Sequence, residues 1–262
     1  MARIISVSNQ KGGVGKTTTA VNLAASLGAA ELPTLLVDLD PQGNAGSGLG
    51  RPRDAGGPTV YDALIGGVAL ADCVVETEVP NLWLVPSTPD LTGAEIELVG
   101  LERRELRLKE ALASVEKRFE VILIDCSPSL GLLTINALAA AKRVLVPLQC
   151  EYYALEGVSQ LTRTIALVKE ALNPALELEG VLLTMFDPRN NLAHQVAGEI
   201  RQHFGKKVFD QVIPRNVRLS EAPSHGQPAL LYDVRSAGSQ AYLALAEELV
   251  RGWGRKAARL AG

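Results

Sequence analysis

Residues 9–19 read NQKGGVGKTTT, a run whose glycines and lysines suit the binding of phosphate. The phosphate-loop pattern G-x-x-x-x-G-K-[ST] is met in its second half by Gly15, Lys16 and Thr17, whereas Gln10 stands where the first glycine belongs. Gly12, Gly13 and Gly15, with Val14 among them, let backbone N–H groups turn inward around an anion. A helix beginning near Lys16 adds the positive end of its dipole. In such a loop Lys16 reaches the β- and γ-phosphates of a nucleotide, and the Thr17 hydroxyl ligates Mg²⁺. Lys11, beside the misfit, has no role in the standard pattern. Asp125 ends the apolar run VILID, at the strand end where α/β sheets bind ligands. In a phosphate-loop protein that carboxylate holds the Mg²⁺ shell, often through water. Asp38 and Asp40 close a second apolar run, TLLVDLD. One of them is suited to position an attacking water, and spacing alone does not say which.

These groups need a scaffold, and the pattern around them supplies one. Strands are expected at residues 3–8, 34–39, 82–86, 121–125, 143–148 and 178–185, several of them continuously apolar, as in strands buried on both faces. Helical periodicity marks 16–29, 101–117, 132–141, 155–171, 192–204 and 236–250. This alternation predicts right-handed βαβ units: an α/β fold, a mostly parallel twisted sheet with helices on both faces. Residues 40–59, dense in Gly, Pro and Asp, read as a long mobile loop, and residues 213–229, with three prolines and little periodicity, as a second loop. Long loops within a compact α/β domain are more often functional than idle.

Composition narrows the function classes. The 262 residues are 47% hydrophobic and 21% charged with a net charge of −3, which argues against a protein that coats nucleic acid by charge alone, although a local basic face is compatible with it. Cys73, Cys126 and Cys150 form no C-x-x-C and point to neither a disulfide framework nor a zinc site, so a reducing cytoplasm is the expected setting. No apolar run reaches the ~18 residues of a membrane span. His194, His203 and His225 are scattered and are assigned no catalysis.

A series of collinear segments carries a resemblance. KGGVGKTTT, LLVDLDPQGNA, VILIDCSPSLGLLTINAL, VPLQCEYYALEG, GVLLTMFDPRNNL and VIPRNVRLSEAPSHGQP resemble, in order, the ParA/Soj chromosome-partitioning ATPases, part of the ParA/MinD group of deviant Walker phosphate-loop proteins. The resemblance runs over roughly residues 4–245 and is of the short chromosomal type, so residues 1–262 are expected to form a single phosphate-loop ATPase domain without an N-terminal helix-turn-helix domain. It implies ATP and Mg²⁺ as cofactors and a homodimer that forms on ATP binding. Lys11 then matches the lysine that crosses the dimer to the partner's nucleotide, comparable to an arginine finger. Asp40 matches the aspartate that orients the hydrolytic water, Asp125 the Walker B aspartate, and Thr18 a residue at the α-phosphate. Pro214 and Asn216 match positions that contact adenine. Non-specific duplex DNA is the second implied ligand, with Arg189 and Arg218 at matching positions and Arg215, Lys206, Lys207 and Arg235 as expected neighbours. Hydrolysis is expected to be slow and to be stimulated by a ParB/Spo0J-type centromere-binding protein, with the protein cytoplasmic and nucleoid-associated.

The chain departs from the family pattern at Ser127, where many relatives have proline, and in the less basic AAELPTLLVD before the second strand. Neither removes a catalytic group. A MinD-like membrane ATPase is the main rival; it requires an amphipathic C-terminal anchor, and EELVRGWGRKAARLAG has Gly252 and Gly254 and a thin apolar face. An electron carrier of the nitrogenase-iron-protein type requires two cysteines per chain at a dimer axis, for which Cys126 and Cys150 are the candidates. A metabolic phosphate-loop ligase is a third class, and no substrate loop argues for it.

Overall fold

The computed structural model describes residues 2–151 and 154–254, with the backbone alone at 155 and 156. The strands are β1 (Arg3–Val7), β2 (Thr34–Leu39), β3 (Val75–Glu76), β4 (Leu82–Val85), β5 (Val121–Cys126), β6 (Arg143–Gln149) and β7 (Glu177–Thr184). They form one sheet in the order β3-β4-β2-β5-β1-β6-β7, parallel throughout except where β3 pairs antiparallel with β4. The helices are α1 (Lys16–Ala29), α2 (Asn44–Ser47), α3 (Val60–Leu64), α4 (Leu91–Glu97), α5 (Arg107–Leu112), α6 (Leu132–Ala140), α7 (Ala154–Ala171), α8 (Asn191–Phe204), α9 (Val217–Glu221), α10 (Ala229–Tyr232) and α11 (Ala237–Gly252).

The continuously apolar strands are explained by the two-residue period of a strand inside two helix layers. Ile5, Val7, Leu36, Leu123, Leu145 and Leu182 pack on one face against α1 and α11. Ile4, Leu35, Val37, Ile122, Ile124 and Val146 pack on the other, against the layer that contains α3, α4, α5, α6 and α8. The β2–β5 register brings Asp38 directly beside Asp125, and the β1–β5 register sets Val7 on its other side. All the parallel strands therefore deliver their C-terminal ends to one edge, where the connecting loops gather.

Three features differ from the sequence expectation. Residues 101–117 yield only the short α5, because Leu106 departs from helical geometry and turns follow Leu112. The two-residue edge strand β3 and helix α4 lie in stretches too short to show a period. The 40–59 stretch is not irregular throughout: it contains α2, and Ala45 and Leu49 are buried in the core. Pro33 sits at the entry to β2, and its carbonyl accepts the N–H groups of Glu120 and Val121.

The opposite edge of the sheet is closed by aromatic packing. The Arg3 guanidinium lies over the Trp253 ring at 4.9 Å, Trp253 Nε1 donates to Glu179 Oε1 at 2.7 Å, and Trp83 tilts against Phe119 at 5.5 Å. Among the described residues no helix is long and apolar enough to cross a membrane. The tail beyond Gly254, on which the membrane-anchor rival depends, lies outside the described residues, as do Tyr152 and Tyr153.

Helix α1 ends in a Schellman turn: Leu32 N–H donates to the Leu27 carbonyl at 3.1 Å and Glu31 N–H to the Gly28 carbonyl at 2.9 Å. The residue in the left-handed conformation is Glu31, at φ 61°, where glycine carries no steric penalty. Glu31→Gly is expected to stabilise the protein by about 0.5–1 kcal/mol, the left-handed cost less the added backbone entropy, read as a higher urea midpoint at unchanged m-value.

Candidate nucleotide site and basic surface

The loop from Ser8 to Gly15 leaves β1 and enters α1, and its left-handed residues are Gly13 (φ 74°) and Gly15 (φ 85°). Gly12 is not among them, although it lies in the same turn. A side chain added at Gly12 would meet no atom within 4 Å, so nothing in the chain's own packing requires glycine there. The loop is braced at both ends. Asn9 Nδ2 donates to the Pro147 carbonyl at 2.7 Å, and Asn9 Oδ1 accepts the Lys11 N–H. The Thr184 hydroxyl donates to the carbonyl of the buried Val14 at 2.8 Å. Gln10 Nε2 is buried with no hydrogen-bond partner.

The two lysines have different surroundings. Lys16 is 7% exposed, and its ammonium donates to the Lys11 carbonyl at 3.0 Å. Burial pulls its pKa down, and Asp125, Cys126 and Asp40 oppose that shift. Lys11 is 39% exposed, and its ammonium pairs with Glu151 at 2.5 Å within the same chain. It is a partly solvated cation on the rim of the site.

The two aspartates of β2, equivalent on spacing, are separated by their hydrogen bonds. Asp38 is fully buried and accepts N–H groups from Asp40 (3.1 Å), Ala45 (3.0 Å) and Gly46 (3.2 Å), so its carboxylate folds the start of the 40–59 stretch back onto the strand. Asp40, 7% exposed, accepts one N–H, from Gln42 at 2.9 Å. Asp125 is fully buried, and neither of its carboxylate oxygens has a hydrogen-bond partner. Burial raises its pKa well above the usual carboxylate range; Asp38 adds to the shift, and the Thr17 hydroxyl and Lys16 reduce it. Burial likewise pushes Asp38 up to about 7 against the pull of its backbone donors.

An orphaned buried carboxylate costs free energy unless a proton or a cation meets it. Asp125, with Thr17 near it, is a hard-oxygen donor set that fits Mg²⁺. No group of three or more His, Cys, Asp or Glu among the described residues encloses a metal, so such an ion would complete its shell with phosphate and water.

A cavity of about 330 Å³ opens beside Gly15 and Thr18, lined by Pro214 and Asn216 among others. Asn216 Oδ1 caps α9 by accepting the Arg218 N–H at 3.0 Å, which leaves the side-chain NH₂ to donate. The sequence reading missed Thr184, Met185, Leu219 and Tyr242 in this wall. Met185 holds a left-handed φ of 48°, a strained conformation for a non-glycine residue, at the end of β7.

The basic residues fall into separate places. Asp187 holds Arg189 through both carboxylate oxygens, at 3.0 and 2.9 Å, which together with Arg215 depresses its pKa to about 2. Asp233 links Arg218 (3.3 Å) to the backbone of Arg235, and Glu221 pairs with Arg218 at 2.8 Å. Lys206 and Lys207 do not join this group. Lys207 Nζ donates to the Leu178 carbonyl near the start of β7, while Arg189 and Arg215 lie beyond its far end, roughly 20 Å away at about 3.3 Å per residue. The expectation of one patch containing all six is corrected: both lysines line the opposite edge with Arg3 and Trp253.

Residues 2–178 match the AAA domain family model (AAA_31). The chain is 61% identical over 251 residues to the chromosome partitioning protein ParA of Myxococcus xanthus, covering 96% of this chain and 89% of that one. It is 56% identical over 249 residues to the sporulation initiation inhibitor protein Soj of Bacillus subtilis, covering 95% and 98%. The chain belongs to the ParA/Soj family of chromosome-partitioning ATPases. A solved structure described as cobyrinic acid a,c-diamide synthase from Mycobacterium smegmatis, with bound ADP and magnesium, superposes with a TM-score of 0.85 at 40% identity, covering 98% of each chain. The septum site-determining protein MinD of Pyrococcus horikoshii, complexed with Mg-ADP, superposes at 0.79 and 27% identity, covering 97% and 98%. The ParA and Soj relatives are the more similar in sequence. Among ParA/Soj features, the segments around Cys126 and Cys150 are core: both thiols are buried, and burial pushes each up to about 11. Neither is a surface thiolate ready to bridge a cluster between chains.

The buried carboxylates make this ParA/Soj site sensitive to pH. A raised folded-state pKa means that the native protein binds protons more tightly than the unfolded chain. The associated stability is complete below about pH 4 and is lost as pH rises through about 7, the value for Asp38. With EDTA present, the Tm is expected to fall between about pH 5.5 and 8, and Asp125→Asn, which carries no charge, to raise the Tm at the upper end by about 3 °C. A Tm that rises across that window in the unsubstituted protein contradicts this assignment.

Proposed function

We propose that this chain is a nucleotide-controlled DNA-segregation ATPase that binds ATP with Mg²⁺, dimerises around the nucleotides, and holds duplex DNA without sequence preference while ATP is intact. The observation that carries this reading is the juxtaposition of buried Lys16 with the unpartnered carboxylate of Asp125 beneath a loop of left-handed glycines. Gly13, Val14 and Gly15 turn N–H groups toward the phosphates, and Lys16 neutralises the β- and γ-phosphates. Thr17 and, through water, Asp125 would hold Mg²⁺, which would offset the charge of the phosphates. Thr18 lies toward the α-phosphate, and the cavity with Pro214 and Asn216 takes the base.

Asp40 keeps capacity to accept a proton-bearing group, whereas Asp38 is committed to three backbone donors, so Asp40 is the residue that orients the attacking water. Lys11 leaves Glu151 and reaches the nucleotide of the second protomer, completing that site only in the dimer. A lysine suits this exchange because its compact charge accepts many orientations.

DNA is held by Arg189, Arg215, Arg218 and Arg235. Each patch is small, but a dimer presents it twice, which reconciles DNA binding with a net charge of −3. Hydrolysis removes the γ-phosphate contacts that join the protomers and so releases DNA. A centromere-binding protein of the ParB/Spo0J type accelerates that step. The partitioning names of the relatives support this reading, as do two local pairings, Arg189 with Arg215 beside Asp187 and Arg218 with Arg235 beside Asp233.

The experiment is duplex-DNA binding with ATP, ADP and no nucleotide. Binding is expected with ATP only, lost in Lys16→Ala and in Arg189→Glu plus Arg218→Glu, and kept in Lys206→Glu plus Lys207→Glu. Replacing Arg189 and Arg218 by alanine should reduce the log–log salt slope of the dimer by about 3–4, the four phosphate contacts removed. Asp40→Ala is expected to cut hydrolysis by at least about 10²-fold while the ATP dimer stays on DNA. Equal DNA affinity with ADP and ATP would sink the switch.

A further inference from the structure

The wall of the base cavity and part of the basic surface are two faces of one short helix. Asn216, Leu219, Ser220 and Pro223 line the cavity, with Pro214 and Arg215 just before them. These four positions are spaced i, i+3, i+4 and i+7, which is one face of a helix. Helix α9 supplies that face because it runs on into a 3₁₀ turn, Ala222–His225, with Glu221 and Ala222 both at helical angles. Val217, Arg218 and Glu221 fall on the opposite face. Val217 is 68% exposed, and the exposed Arg218 pairs with Glu221 there.

Both ends of the segment are fixed by backbone. Before α9, the Ile213 N–H donates to the Leu183 carbonyl at 2.8 Å and the Arg215 N–H to the Phe186 carbonyl at 3.1 Å, which bridges Pro214 to Phe186 beyond β7. After it, Gly226 is pressed on the backbone of Gly50. A β-carbon at Gly226 would lie 3.0 Å from Gly50 Cα, and one at Gly50 would lie 3.1 Å from the Gly226 carbonyl oxygen. The Ala229 N–H is then held by Asn22 Oδ1 of α1 at 2.8 Å.

Between these fixed points α9 is five residues long, too short to keep its shape by its own hydrogen bonds. Its packing comes from the buried Leu219 and Ala222, and Leu219 also stands in the cavity wall. A helix face that borders a cavity makes fewer contacts on that side, and a flat base seated there adds them.

We propose that Leu219 is a positioning residue for DNA binding: it transmits occupation of the base cavity to α9, so that the base, and not the γ-phosphate alone, sets Arg215 and Arg218 for phosphate contact. The proposal rests on the nucleotide and DNA reading above. A loss of about threefold in the competent arrangement of each protomer becomes roughly tenfold in a dimer that must present both.

The test is duplex-DNA affinity per dimer, with the dimer fraction measured by sedimentation. The two ligands are ATP and ribose 5′-triphosphate, which has the phosphates without the base. At matched dimer fraction the affinity is expected to be about tenfold weaker with ribose 5′-triphosphate. With ATP, Leu219→Ala is expected to weaken DNA binding per dimer by about tenfold, and Leu219→Met, which keeps the volume, to stay within about twofold. In Leu219→Ala the difference between the two triphosphates should fall below about twofold, whereas a general destabilisation would weaken both alike. Equal affinity per dimer with and without the base, or full affinity in Leu219→Ala, overturns the proposal. If ribose 5′-triphosphate forms no dimer, the two Leu219 variants decide; if Leu219→Ala does not fold, the two triphosphates decide. Absence of DNA binding by the unsubstituted chain with ATP overturns instead the reading on which the proposal rests, which separates the two failures.

Discussion

Two carboxylates lie side by side in the dry centre of this sheet, and the rest of the site answers to them. Asp38 and Asp125 are register partners on β2 and β5, both fully buried. Charges so placed repel and lack water, so each needs its own compensation. Asp38 finds it in backbone N–H groups, and in doing so folds the chain after β2 into the short helix α2. Asp125 finds no such donor and is left facing Thr17 and Lys16. The asymmetry assigns one carboxylate to architecture and leaves the other open to a cation.

Around that centre the fixed and the exchangeable parts are distinct. Val14 is tied to Thr184 and Asn9 to Pro147, which holds the phosphate loop to β6 and β7. Lys11, by contrast, is attached through one half-exposed ion pair, and exposed pairs of this kind are worth about 0–1 kcal/mol. The arginines at the far end of β7 follow the same pattern, each beside a carboxylate at the surface. Groups bound this weakly can change partners when a phosphate is offered, whereas the loop beneath them keeps its shape.

Much of this was legible in the sequence, and the gaps have physical reasons. The buried strands announced themselves by apolar runs, and the phosphate loop by glycine and lysine spacing. The edge strand β3 is too short to show a period, and α4 and α5 carry less than two full turns each. Asp38 and Asp40 could not be separated, because their difference lies in which N–H groups the folded loop returns. The wall of the base cavity draws on Thr184, Met185, Leu219 and Tyr242, far apart in the chain. Grouping Lys206 and Lys207 with the arginines failed for the converse reason: α8 carries the chain from the turn at Arg189 back to the other end of the sheet, so positions near in sequence are parted.

The aromatic closure of that opposite edge has an optical consequence. The protein has two tryptophans. Trp83 lies on β4 opposite Leu35, near the start of β2, and Trp253 packs under Arg3 at the start of β1. Both indoles therefore sit at the end of the sheet remote from Lys16. Intrinsic emission from this chain monitors the integrity of the fold and its last helix, and is nearly blind to events at the phosphate loop, so an optical readout of those events needs a chromophore carried by the nucleotide.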